Sequence, residues 1–186
     1  SNNDFEVTIV TLEDFNVAYD LDEKINLIKL RSLDYFPKWA SILALPLLAF
    51  EFLFIKKKIG CDLSMSFLVR SNFVNILSNI FSTGNAIISE RNNSLLQYRC
   101  RLSGGVMRLL IRSLYPKASK IICISKGFES VLTKNFNIPA NKLVTIHNPQ
   151  KSQCSLVKRF SFRDQGNFLN IGRLINQKNH ESLIRI

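Results

Sequence analysis

Short apolar runs alternate with amphipathic stretches along most of the chain. "FEVTIVTL" (residues 5–12) and "INLIKL" (25–30) are rich in apolar and β-branched residues and bounded by polar ones, which predicts strands. The apolar stretch "WASILALPLLAFEFLFIKKK" (39–58) predicts a helix, and "LSMSFLV" (63–69) a strand. From 72 to 81, Phe73, Ile76, Leu77 and Ile80 recur at helical spacing. The rhythm continues through the strand "NAIIS", a basic amphipathic segment over 95–115, the strand "KIICIS", the helix "KGFESVLTKNF" and the strand "KLVTIHN", which ends at Asn148-Pro149. Strands separated by helices predict a parallel sheet, because parallel neighbours need crossover connections. The expected class is α/β, a doubly wound parallel sheet.

The polar and basic run "PQKSQCSLVKRFSFRDQG" (149–166) interrupts this rhythm, and a new strand, "NFLNIG", follows it. The expected organisation is a first domain over 1–149, a linker over 150–166, and the first β-α unit of a second domain over 167–186. The opening "SNNDFEVTIV" turns from polar to strand-like with neither an initiator methionine nor a signal-peptide pattern, as expected of a cut terminus.

With 186 residues, 46% of them hydrophobic, the chain can bury a sizeable core and is not a disordered sequence. Its 25 Lys and Arg against 14 Asp and Glu give +11, which favours anionic partners without choosing among nucleotides, phospholipid headgroups and nucleic acid. The cysteines at 61, 100, 123 and 154 are far apart and have no zinc-like spacing, so free thiols in a reducing compartment are expected. The stretch 39–58 places about 17 mostly apolar residues ahead of its lysines, at the lower edge of a spanning length. Pro46 and Glu51 count against a span. A helix packed on the core is favoured over one docked at a bilayer interface, and both over a transmembrane helix.

In open parallel sheets the ligand crevice lies beyond the carboxyl ends of the strands. Four polar clusters fall there: Arg70-Ser71-Asn72, Glu90-Arg91-Asn92-Asn93, Ser125-Lys126-Gly127 and Gly172-Arg173-Leu174. "SERNN" reads either as a loop that caps the next helix or as an acceptor-binding, charge-stabilising loop, in which Glu90 holds Arg91 or acts as an acid/base group. Ser125 reads as a helix cap, or as part of a helix start that receives a phosphate or sugar hydroxyl. In "GRLINQKNH", Gly172 relieves the turn, Arg173 offers a planar fork to phosphate oxygens and Lys178 adds a point charge. His147 and His180 have no nucleophile or metal partner at a recognisable spacing and are read as structural.

"AIISERNN", "KASKIICISKGFESVLTKNFNIPANKLVTIHNP" and "FLNIGRLINQKNHESLIRI", in this order and spacing, resemble the bacterial retaining glycosyltransferases of family 4, whose two facing Rossmann-like domains form the GT-B fold. The likeness covers roughly residues 62–186 and the first sixty only by strand order. It implies transfer of a sugar, of the hexosyl type, from a nucleotide diphosphate donor to a glycan or polyprenyl-linked acceptor with retention of configuration. Such an enzyme would act in cell-surface glycan synthesis, at the inner face of the cytoplasmic membrane and with peripheral membrane contact. It implies that Arg173 and Lys178 hold and stabilise the donor diphosphate, that Gly172 allows close backbone approach, and that Glu90, Arg91, Asn92 and Ser125 line the acceptor side. No metal, no cofactor beyond the donor substrate and no nucleic acid is implied.

Several relatives carry histidine at the position of Arg91, so a histidine-dependent role does not transfer. Relatives also have an earlier strand with a glycine-rich loop and a later paired-glutamate motif; their absence implies a fragment without turnover of its own. The alternative from a different class is a non-catalytic basic module for an anionic membrane surface or nucleic acid, supported by the charge and by Arg99, Arg101, Arg108, Arg112, Lys117 and Lys120.

Overall fold

Every strand pairing is parallel in the computed structural model, which describes residues 5–12, 21–31, 42–82, 84–92, 102–149 and 180–184. β1 (Thr8–Thr11) pairs with β2 (Asn26–Lys29) in a two-stranded sheet. β3 (Leu63–Phe67), β4 (Asn85–Glu90), β5 (Lys120–Cys123) and β6 (Leu143–Thr145) form a four-stranded sheet in that order. The helices are α1 (Leu45–Lys58), α2 (Val69–Ile80), α3 (Leu102–Leu114), α4 (Lys126–Phe136) and the short α5 (His180–Ile184). The fold is α/β with parallel sheets, in keeping with a Rossmann-like, doubly wound domain. The chain divides into two compact units, Ser1–Pro149 and Gln150–Ile186, and α5 is the described element of the second. The expected strand "NFLNIG" lies outside the described residues.

The helix expected over 39–58 is described as α1 from Leu45. Pro46 explains the position: it occupies the first turn, where its missing N–H costs nothing and its fixed φ suits the helix. The helix ends in a paired carbonyl cap, Gly60 N–H to Lys57 (3.4 Å) and Cys61 N–H to Lys56 (2.9 Å). Gly60 takes the left-handed conformation this cap requires, with φ of 62°. Glu51, unfavourable in a membrane span, accepts the Arg31 backbone N–H at 2.8 Å and so ties the end of β2 to α1. No helix among the described residues is long and apolar enough to cross a membrane.

α1 is apolar on more than one side. Leu45, Leu48, Ala49 and Leu53 are buried, each large side chain contributing roughly 1.5–3 kcal/mol. Leu43, Leu47, Phe50 and Phe54 form a second stripe at helical spacing and are exposed, with the two phenylalanines edge to face at 4.7 Å. Of the three closing lysines, Lys57 and Lys58 are exposed, whereas Lys56 is buried. Its Nζ donates to Asn79 Oδ1 at 3.1 Å and lies over the Phe52 ring. Burial lowers its ammonium below the ordinary value, against the opposing effect of Cys61.

α2 packs on the four-stranded sheet through a polar ladder. Ser64 and Ser66 alternate along β3, and Asn72, Asn75 and Ser78 recur every three residues on α2. Ser64 Oγ donates to Asn75 Oδ1 at 2.6 Å and Ser66 Oγ to Asn72 Oδ1 at 2.9 Å. Asn75 Nδ2 donates to the Ser64 and Ile87 carbonyls and to Ser66 Oγ. Buried amides are tolerated here because their donors and acceptors are matched. The apolar core around them includes Phe73, Ile76, Ile88, Ile111, Ile121 and Leu132.

Cys123 is fully buried in β5. Burial pushes its thiol up from 9.0 to about 11, and the charges of Glu129 and Glu90 add to the shift. Between these values the unfolded thiol has lost its proton while the folded one keeps it, so stability falls as pH rises. The expected loss is on the order of 2 kcal/mol, at about 1.4 kcal/mol per pKa unit. Lys56 acts in the opposite sense, because its penalty is relieved as pH rises towards 10.5. Urea denaturation midpoints across this range should therefore fall more steeply in the wild type than in Cys123→Ala.

Candidate functional site

Because β3 to β6 are parallel, their carboxyl ends share one edge. β4 ends at Glu90, and the residues after it turn over that edge. Glu90 is 1% exposed, and its side chain lies on the face that α2 covers. The Tyr115 hydroxyl donates to Glu90 Oε2 at 2.5 Å, and the Asn92 backbone N–H donates to Oε1 at 3.4 Å. Asn72 Nδ2 donates to the same Tyr115 oxygen at 3.2 Å and to the Ser89 carbonyl at 3.3 Å. The polar ladder under the sheet thus runs into the edge, where it holds a carboxylate. In this geometry Glu90 anchors the 90–92 turn from below.

Arg91 points along the edge instead. Its Nη1 donates to Asn148 Oδ1 at 2.5 Å, and its guanidinium lies 5.0 Å over the Phe67 ring. The arginine therefore spans the ends of β3, β4 and β6. Its Nε is buried and has no hydrogen-bond partner among the described residues. The fork is held flat and in place by a ring and an amide, which suits recognition of an anionic or hydroxyl-rich ligand.

Ser125 caps α4, its Oγ accepting from the Phe128 N–H at 3.4 Å. The capping reading is therefore the one the geometry displays. Next to it, His147 Nδ1 bonds the Ile124 carbonyl at 3.0 Å, and Thr145 Oγ1 donates to Glu129 Oε2 at 2.7 Å. Glu90, Arg91, Asn92 and Ser125 lie at the same edge, on adjacent strands in register, Glu90 opposite Cys123. Gly172, Arg173 and Lys178 lie outside the described residues.

The turn from β3 into α2 carries backbone strain. Leu68 has φ of 72° and ψ of 152°, a region nearly restricted to glycine, while its side chain is 54% exposed. Leu68→Gly is expected to raise stability by about 1–2 kcal/mol and Tm by about 2–8 °C, read in a thermal melt. An unchanged or lower Tm would mean that the strain is offset elsewhere in the turn.

Sequence reading missed Tyr115, Phe67 and the Arg91–Asn148 pairing, and it placed Asn72 in the polar cluster after β3 without its buried bonds to Ser66 and Tyr115. One signal was present: the period-two serines of "LSMSF" and the period-three polar residues of "NFVNILS" match as facing polar rows.

No protein-family model matches the chain. Over 191 residues it is 27% identical to the N-acetylgalactosamine-N,N'-diacetylbacillosaminyl-diphospho-undecaprenol 4-alpha-N-acetylgalactosaminyltransferase of Campylobacter jejuni subsp. jejuni serotype O:2. The alignment takes in 97% of this chain and 50% of that protein, so the chain spans about half the length of the curated relative it matches. Along nearly its whole length, then, the chain is similar to a bacterial glycosyltransferase.

Proposed function

We propose that the intact protein is a glycosyltransferase that moves a sugar, with retention, from a nucleotide diphosphate donor to a polyprenyl-linked glycan acceptor at the inner face of the cytoplasmic membrane. The observation that carries this reading is the 27% identity, sustained over 97% of the chain, to a transferase named for a diphospho-undecaprenol substrate. The ordered motifs support the same reading independently. In it, Arg173 and Lys178 balance the charge that develops on the departing diphosphate, and Gly172 lets the backbone approach it. Arg91 and Asn92 meet the acceptor, while Glu90 and Ser125 support the turns that present them. The Arg91 fork suits the diphosphate or hydroxyls of such an acceptor.

Incubating the full-length protein with a panel of nucleotide sugars and a polyprenyl-diphosphate-linked saccharide tests this. The expected product is an extended lipid-linked glycan whose new linkage keeps the donor's anomeric configuration by NMR. Inverted linkage would overturn the retaining mechanism, and transfer to water-soluble acceptors alone would overturn the acceptor class.

A lipid-linked acceptor requires the protein to reach the bilayer. The exposed stripe of Leu43, Leu47, Phe50 and Phe54 ends at the exposed Lys57 and Lys58, an apolar face with a cationic end. Arg108 and Arg112 are exposed on α3 as well. Burying two half-exposed phenylalanines contributes roughly 2–3 kcal/mol to membrane binding. Phe50→Ser with Phe54→Ser should therefore lower the bound fraction on phosphatidylglycerol-containing vesicles at least about 10-fold while Tm stays unchanged. Equal co-sedimentation of wild type and variant would place the membrane contact elsewhere.

A further inference from the structure

The ladder between β5 and β6 closes with the Ile146 N–H donating to the Cys123 carbonyl at 2.9 Å. The next carbonyl, that of Ile124, lies in the bend between β5 and α4, and His147 supplies its partner through Nδ1 at 3.0 Å. A carbonyl oxygen only accepts, so Nδ1 carries the proton. The uncharged ring then keeps a lone pair on Nε2, an acceptor directed away from that carbonyl. His147 is exposed, and nothing among the described residues is bonded to Nε2. One bond therefore sets both the tautomer and the orientation of the ring, and leaves its second nitrogen available at the carboxyl edge of the sheet.

Glu90, Cys123 and Thr145 are level on neighbouring strands, so Arg91, Ile124 and Ile146 begin the next step together. To reach Asn148, the Arg91 side chain crosses the end of β5, where His147 is bonded too. Nη1 is engaged by Asn148, and the guanidinium carries further N–H donors. A fixed cationic donor and a fixed neutral acceptor thus share a span of two strand spacings, about 10 Å. The combination discriminates between chemical groups. Sugar hydroxyls both donate and accept, so one ring can satisfy His147 and Arg91 at once. An ionised diphosphate only accepts and has no proton to give to a lone pair.

We infer that His147 is a specificity-determining residue of the proposed transfer: its Nε2 accepts from a hydroxyl of the acceptor saccharide while Arg91 donates to an oxygen of the same sugar. This role rests on the acceptor-side reading above and narrows it, giving this end of the edge to the saccharide and not to the diphosphate. Asn148 is then a positioning residue, holding the Arg91 fork beside the imidazole.

His147→Asn in the full-length protein tests this, because the asparagine amide reaches the place of Nδ1 and keeps the bond to Ile124 but puts nothing at the place of Nε2. Its Tm is expected to stay within about 2 °C of wild type. KM for the polyprenyl-diphosphate-linked saccharide should rise about 5–10-fold, the loss of one hydrogen bond, with donor KM unchanged. His147→Gln carries an amide oxygen towards the place of Nε2 instead, and should recover part of the acceptor KM at a lower Tm. Acceptors lacking single hydroxyls locate the contact: loss of the bonded hydroxyl should raise KM about 5–10-fold in wild type and change nothing further in His147→Asn. A wild-type acceptor KM in His147→Asn, or equal losses for every deoxy acceptor in both proteins, would overturn the assignment. If the wild type transfers no sugar, the proposed function fails on its own and side-chain nitrogen NMR of His147 decides. Methyl glycosides of hexoses and N-acetylhexosamines are expected to shift Nε2 of a ring protonated at Nδ1, and inorganic diphosphate is not. A ring protonated at Nε2, a shift with diphosphate alone, or a shift with neither would overturn it.

Discussion

Glu90→Ala is expected to lower the stability of the Ser1–Pro149 unit by about 3–4 kcal/mol, read as a shift in the urea midpoint at unchanged m-value. The carboxylate is 1% exposed and accepts from the Tyr115 hydroxyl and the Asn92 N–H. Its removal strands both donors and leaves a cavity, and each orphaned buried group costs roughly 1–3 kcal/mol. Glu90→Gln preserves the volume and one acceptor oxygen, and should cost about half as much. Tyr115→Phe removes one hydrogen bond to the carboxylate, worth about 1.5–3 kcal/mol for a charged acceptor. Because Asn72 also donates to that hydroxyl, Asn72→Ala and Tyr115→Phe should be non-additive by at least about 0.5 kcal/mol. Strict additivity would show that the ladder and the edge are not one network.

The second large effect is catalytic. In the full-length protein, Arg173→Ala and Lys178→Ala are each expected to lower kcat by about 10²–10³-fold, the range seen when a donor aimed at developing charge is removed. KM for the donor should rise as well if, as proposed, both cations also hold the ground-state diphosphate. Arg173→Lys should recover only part of the loss, because an ammonium lacks the planar fork. A change confined to KM would assign the pair to binding alone, and wild-type kinetics in both variants would remove the diphosphate site from this loop.

Local patterns were legible in the sequence wherever one element decides its own form. The parallel pairing follows from the alternation of strands and helices, and the extent of α4 from Lys126 to Phe136, with Ser125 as its cap, from apolar periodicity and capping chemistry. Less was legible where a side chain's partner is remote. Lys56 is the first of three consecutive lysines that end the apolar stretch, yet it lies three residues after Leu53 on the buried face and pairs with Asn79. Asn72 and Asn75 lie in a helical stretch whose period is read from its apolar residues alone; their burial depends on serines that only sheet packing brings opposite. The Glu90–Tyr115–Asn72 connection joins residues 25 and 43 positions apart, beyond any local period. Gly172, Arg173 and Lys178 rest on the order of their motif, a short apolar run followed by a glycine and two cations.

The proposed acceptor-side edge can be separated from the proposed donor side by experiment. Arg91 is tied to Asn148 and stacked on Phe67, so its loss should affect acceptor KM more than donor KM.

The central claim is that the protein transfers sugar from a nucleotide diphosphate to a lipid-linked acceptor. Its most direct test is nucleoside diphosphate release by the full-length protein, measured with and without polyprenyl-diphosphate-linked saccharide. The account predicts release that depends on the acceptor and matches, mole for mole, the sugar recovered in the lipid product. Release that is the same without acceptor, or none with any nucleotide sugar tested, would contradict it.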